Sequence, residues 1–151
     1  MYLIESSRPQ IFSTGWGRGA SIFVSVGLLE TLTQDEVAAV VAHEIAHLMN
    51  NDSALKTVAE KLKYMLINPL GLFLEPAISR EREFFADAEA SRFVGGPGGL
   101  ISAMTKLNPN AENGGEAPGI GTMMGHLELK SRLLRRHPPV SERILRLQAL
   151  R

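Results

Sequence analysis

The stretch from Thr33 to Asn50, TQDEVAAVVAHEIAHLMN, leaves the chain little conformational freedom. Thr33 and Glu36 form a T-x-x-E capping box, and the apolar residues after it recur with the spacing of a helix and not of a strand. A helix therefore starts near Gln34 and runs to about Asn50. With about 100° of rotation per residue, Val37, Val40, Val41 and Leu48 form one apolar stripe with Glu44 in its middle, and His43 and His47 lie together at its edge. An ionised carboxylate on a buried face is costly unless a charged group meets it. H-E-x-x-H spacing supplies that group, because two imidazoles one helical turn apart converge on one metal ion and the intervening glutamate points at the open coordination position. Glu44 would then take a proton from a polarised water that attacks a peptide carbonyl. The competing reading is a coincidental pair of surface histidines, and the capped, amphipathic setting favours the metal site.

Around this helix the chain reads as one domain. At 151 residues and 44% hydrophobic composition it is long enough to bury a moderate core. Sixteen basic residues balance 16 acidic ones, which gives no electrostatic reason to expect nucleic acid as a partner. With no cysteine, a disulfide framework, a thiol nucleophile and a Cys-ligated metal are excluded, so any metal takes His, Asp or Glu. YLIE, IFSTG and SIFVSV read as short strands, the last two forming a hairpin across TGWGRG. Beyond Asn50, helical patterns cover residues 53–65, a segment opened by Pro76 and stopped by the glycines between Gly95 and Gly99, and a short stretch to Leu107. A long glycine- and proline-rich loop spans 108–125, and Pro138 and Pro139 lead into a last helix. The N-terminus does not look like a secretion signal, and no uncharged run approaches the roughly 20 residues that span a bilayer.

A catalytic metal needs a third protein ligand, and SREREFFADAEA, from Ser79 to Ala90, is the best supply. Glu83 and Asp87 share a helix face with Ala86, Ala90 and Val94, whereas Glu81 and Arg82 point elsewhere and read as solvated charges. Glu83 is the candidate third ligand. Asp87 is suited to accept the second ring N–H of His43 or His47 and so fix its orientation. Without the first motif, both acids would read as an exposed charged turn paired with Arg80 and Arg82.

HEIAH with Asp52 after it, then SREREFFADA, then RRHPPVSERI, in that order, resembles the HtpX-like metallopeptidases, whose family also holds the CAAX prenyl endopeptidases and the Oma-type mitochondrial proteases. The upstream hairpin and helix fit the resemblance, which covers most of the chain. It implies that His43, His47 and Glu83 bind zinc, that Glu44 is the general base and that Asp87 supports a ligand. It further implies that the strand near Ser21–Val26 is an edge that holds substrate by strand addition. His137, in the His-Pro signature, and Arg143 after it would lie near the cleft, where either side chain is a candidate for stabilising the oxyanion. The plainer readings are a turn histidine locked by two prolines and a core-bracing cation. His126 matches no motif and reads as a surface histidine.

Membrane-type members of that family place two transmembrane helices before the domain and two more between the metal helix and the glutamate ligand. The segment from His47 to Glu83 is too short for a helical hairpin across a bilayer, so the sequence reads as a compact soluble member or as a piece without its membrane parts. The apolar patch Tyr64–Leu74, flanked by Lys61 and Lys63, suits a membrane surface, core burial or self-association. PQIFSTG stands where members often carry an Asn-Ala-Phe-Ala-like stretch. The expectation is therefore an α+β, mainly helical zincin-like domain over 1–151 with a small antiparallel sheet near the N-terminus. Its cofactor would be zinc and its substrate a peptide or protein, with no nucleic acid and no spanning helix, in the cytoplasm or on the cytoplasmic face of a membrane. A zinc endopeptidase in membrane-protein quality control is the leading function, and a latent or non-catalytic metal-binding regulatory module the alternative.

Overall fold

The computed structural model describes residues 1–15, 17–50, 69–108 and 137–150, with the backbone alone for Arg18 and for 69–77. The helix expected over 53–65, the loop from 109 onward and His126 lie outside the described residues.

Three strands come first: β1 (Tyr2–Ile4), β2 (Ile11–Thr14) and β3 (Ser21–Ser25). The expected hairpin is present, with β2 antiparallel to β3 in the register Ile11↔Val24 and Phe12↔Phe23. Between them the chain turns through Gly15, whose φ of +85° and close approach to the Gly19 carbonyl leave no room for a side chain. β1 pairs with β3 in parallel, which makes the small sheet mixed and gives it the order β1-β3-β2. The stretch expected as an edge, Ser21–Val26, is therefore the central strand. Both of its sides are taken because the first strand folds back onto the hairpin, and the edges belong to β1 and β2. Strand alternation sends Ile11 and Val24 into the core and stacks Tyr2, Phe23 and Phe12 in a row on the other face, with ring centroids 5.2 and 5.0 Å apart.

Ser25 ties this sheet to the first helix. Its buried hydroxyl accepts the N–H of Gln10 and of Leu28 and donates to the Arg8 carbonyl, capping α1 (Val26–Thr31) while it anchors the β1–β2 loop. Next comes α2 (Gln34–Met49), begun by both halves of the Thr33–Glu36 capping box and ended at Asn50, as the sequence predicts. The third helix, α3 (Pro69–Phe93), is longer than expected: Pro76 lies inside it and does not open it. Its C-terminus closes on two glycines, with the Gly96 N–H bonded to the Ser91 carbonyl at 2.7 Å and Gly95 at φ +78°. After α4 (Gly98–Leu107) the described chain resumes at His137, and Pro139 starts α5 (Val140–Gln148).

The helices gather around α2. Ala39, Ala42 and Ala46 on α2 and Ala86 and Ala90 on α3 are all buried, small side chains that let two helices approach closely. Leu28, Leu32, Val40, Leu100, Met104 and Leu147 complete a core that joins sheet and helices. Among the described residues no helix is long and apolar enough to cross a membrane.

Candidate metal centre

Close packing of α2 against α3 brings His43, His47 and Glu83 together, with one donor atom from each inside a cluster 4.8 Å across. The two Nε2 atoms are 3.0 Å apart on rings turned 89° to each other, and each lies 3.6 Å from an oxygen of Glu83. Tetrahedral zinc with ligand bonds of about 2.0–2.1 Å holds its donor atoms about 3.3 Å apart. The observed separations bracket that value, and His43 and Glu83 are each only 8% exposed. Two imidazole nitrogens and a carboxylate oxygen facing one point form a donor set that fits a divalent metal, zinc first and cobalt, nickel or manganese also.

Behind His43 stands Asp87, 2% exposed. Its Oδ1 is 2.9 Å from His43 Nδ1, a close polar contact between the carboxylate and the ring nitrogen turned away from His47. Of the two histidines named from the sequence as its possible partner, the structure selects His43. Arg143, from α5, donates two hydrogen bonds to Asp87, Nε to Oδ2 at 2.8 Å and Nη2 to Oδ1 at 2.6 Å, and its Nη1 is 3.5 Å from Glu83. Burial opposes charge on every one of these groups, and their mutual contacts overrule it. The His43 imidazole is pushed down by burial but lifted further by Asp87 and Glu83, to about 9. Burial raises both carboxyls, yet His137, His43 and Arg143 hold Glu83, and Arg143 and His43 hold Asp87, below the ordinary carboxylate range.

Glu44 stands directly after His43 in the chain and is half-buried, close enough for its charge to bear on Arg143. It does not occupy the middle of the buried face. The most buried arc of α2 comprises Glu36, Ala39, Val40, Ala42, His43 and Ala46, because α3 and α4 both dock on that side, α4 meeting Glu36 and Ala39, while Val37 and Val41 flank it on a partly covered side that Glu44 shares. A glutamate on a half-open flank has room for water beside it, which a central position would lack. His137, its side chain 60% exposed, places Nδ1 3.2 Å from Glu83 Oε1, so the His-Pro segment does reach the site. The charged-turn alternative fails, since Glu83 and Asp87 are buried and Arg80 pairs with Glu142 at 2.8 Å. Arg82, expected as a solvated charge, is half-buried. The link from Arg143 to Asp87 has no signal in the sequence: the two are 56 positions apart and share no motif spacing.

The model of peptidase family M48 matches residues 1–72 and 62–151, which together span the chain. The chain belongs to peptidase family M48. Similar M48-like relatives include Protease HtpX of Legionella pneumophila (strain Corby), 31% identical over 194 aligned positions that cover 99% of this chain and 69% of the relative. A Protease HtpX homolog of Pelotomaculum thermopropionicum is 30% identical, again over 99% of this chain and 69% of its own length. The Legionella alignment is longer than the 151 residues present here, so the relative carries positions within the aligned region that have no counterpart in this chain. The crystal structure of S. mikatae Ste24p shares the fold, with a TM-score of 0.66 at 22% identity over 96% of this chain and 44% of that one. M48 membership makes the chain a metalloprotease of the HtpX-like kind, and it implies a metal that the His43–His47–Glu83 group can hold.

Proposed function

We propose that this chain is a zinc-dependent endopeptidase in which His43, His47 and Glu83 hold the ion and Glu44 is the general base, all within one domain over 1–151. The observation that carries the reading is the convergence of the three donor atoms at tetrahedral spacing, with a glutamate next in sequence to one of them. Bound there, zinc supplies a Lewis-acid charge that acidifies water and polarises a carbonyl. Glu44 accepts the proton from the attacking water and returns it to the leaving amine. Asp87 orients His43, and His137, at the exposed mouth of the site, donates to the developing oxyanion.

Substrate binds as an added strand on the outer edge of β2 in this reading. Support comes from the packing of α2 on β2 and from the ladder itself: the Ser25 N–H donates to the Gln10 carbonyl at 2.9 Å, so strand alternation turns the backbone groups of Ile11 and Ser13 away from β3. Main-chain recognition tolerates varied sequences, which suits a protease that clears misfolded membrane proteins. We place the enzyme in the cytoplasm or at the cytoplasmic face of a membrane.

The test is metal content together with peptidase activity for the wild type and Glu44→Gln. About one zinc per chain in both, with activity reduced by about 10²–10⁴-fold in the variant, is the expected outcome. Zinc without any activity in the wild type would favour the regulatory module, and absence of zinc binding would end the metal reading.

A further inference from the structure

We propose that Arg143 is a positioning residue for the metal centre: its guanidinium fixes the plane of the Asp87 carboxylate, and through Asp87 the direction in which the His43 ring presents Nε2. The proposal rests on the reading of His43, His47 and Glu83 as metal ligands.

Arg143 comes from α5, the last described helix, and its side chain is only 15% exposed. Two of its nitrogens meet the two oxygens of Asp87 at 2.8 and 2.6 Å, a fork-to-carboxylate contact. A guanidinium holds its donors in one rigid plane, so such a contact leaves the carboxylate little freedom to rotate. The oxygen bound by Nη2, Oδ1, is the one that lies 2.9 Å from His43 Nδ1. The third nitrogen lies 3.5 Å from Glu83, one helical turn from Asp87, so a single side chain spans both acids that α3 brings to the site. All three guanidinium nitrogens meet carboxylates, and Nη2 also lies 3.5 Å from His43 Nε2, so the contacts Arg143 makes are those of a brace between the two acids and the histidine. Charge points the same way: Arg143 and a divalent cation together match the three carboxylates of Glu44, Glu83 and Asp87.

A brace and a mere neighbouring charge predict opposite signs. Removing a cation beside a metal site strengthens metal binding through Coulomb's law, whereas removing the partner that orients a ligand weakens it, commonly by about 10–100-fold. An oxyanion donor would leave metal affinity unchanged and lower kcat alone.

The experiment measures zinc affinity by competition with a chromophoric chelator at neutral pH for the wild type, Arg143→Ala, Arg143→Lys, Asp87→Asn and the Arg143→Ala/Asp87→Asn double variant. Visible absorption of the cobalt-loaded proteins is recorded alongside. The expected result is a loss of about 10–100-fold in both Arg143 variants, since lysine keeps the charge without the fork. The double variant falls no further than Asp87→Asn, because the two residues act as one unit. The cobalt bands of Arg143→Lys change shape, which a purely structural role in docking α5 would not produce. If Arg143→Ala fails to fold, Arg143→Lys and Asp87→Asn decide. Zinc affinity in Arg143→Lys equal to wild type, or tighter binding in Arg143→Ala, overturns the proposal while the metal reading stands. A wild type that binds no zinc overturns both.

Discussion

Glu36 lies in the first turn of α2, the helix that carries His43 and His47, and replacing it by glutamine tests how that helix is held. One oxygen accepts the Thr33 N–H at 2.8 Å and the Lys106 ammonium at 2.8 Å, and the other accepts the Ser102 hydroxyl at 2.6 Å, so this buried carboxylate ties α2 to α4 as well as to its own cap. Glutamine keeps the shape and loses the charge. Weakening two charge-assisted bonds to neutral ones costs about 1 kcal/mol each, and losing a pair whose lysine is 41% exposed costs about 0.5–1 kcal/mol. Linkage gives a second route: Lys106 first, then Ser102, lower the carboxyl from 4.5 to about 2, which at about 1.4 kcal/mol per unit sets a ceiling of about 3 kcal/mol. We expect Glu36→Gln to lower stability by about 2–3 kcal/mol at neutral pH, or about 5–10 °C in Tm for a chain of this size. Because the folded pKa is depressed, the contribution is complete above 4.5 and vanishes as pH falls through about 2. Urea unfolding of both proteins at neutral pH and near pH 3 measures it, the gap between them narrowing in acid. A gap below about 0.5 kcal/mol at neutral pH, or one independent of pH, refutes the reasoning.

Three further outcomes are expected on the same physical grounds. In the metal-free protein His43 holds its proton up to about 9, so zinc must displace it; calorimetry in two buffers of different ionisation heat should find about one proton released at neutral pH and affinity falling about tenfold per unit as pH drops, and zero release would contradict the contacts to Asp87 and Glu83. Ser25→Ala removes a cap and two further hydrogen bonds at a residue with no exposure, and should cost about 2–4 kcal/mol in denaturant unfolding; a loss below about 1 kcal/mol would show that water replaces the hydroxyl. Gly27→Ala would put a methyl 2.1 Å from the Ser7 carbonyl oxygen, so its melting temperature should drop by several degrees through displacement of the β1–β2 loop, and an unchanged melt would place that loop elsewhere in solution.

Local physics makes much of this protein legible in its sequence. The T-x-x-E box, the helical period and the H-E-x-x-H spacing act within a turn or two of one helix, so α2 with His43 and His47 on one side is dictated by neighbours in sequence alone. The glycines at 95 and 96 stop α3 for an equally local reason, the positive φ that its ending requires. Glu83 is within reach because a buried-face acid needs a purpose and the metal pair lacks a ligand. Tertiary packing decides the rest. Whether β3 keeps an open side depends on where residues 2–4 dock, and the strand pattern carries no register for that choice. Hydrophobicity misjudges the buried arc of α2 because alanines, which weigh little on any such scale, make up much of it. Pro76 marks a helix start by propensity, yet the residues from Pro69 onward are already helical before it. Arg143 reaches Asp87 across 56 positions. The sequence by itself determined α2 and the placing of His43 and His47 on one side of it, since these need only periodicity, whereas the fold alone brought Arg143 to Asp87 and chose the open edges of the sheet, since contacts between distant segments leave no periodic trace.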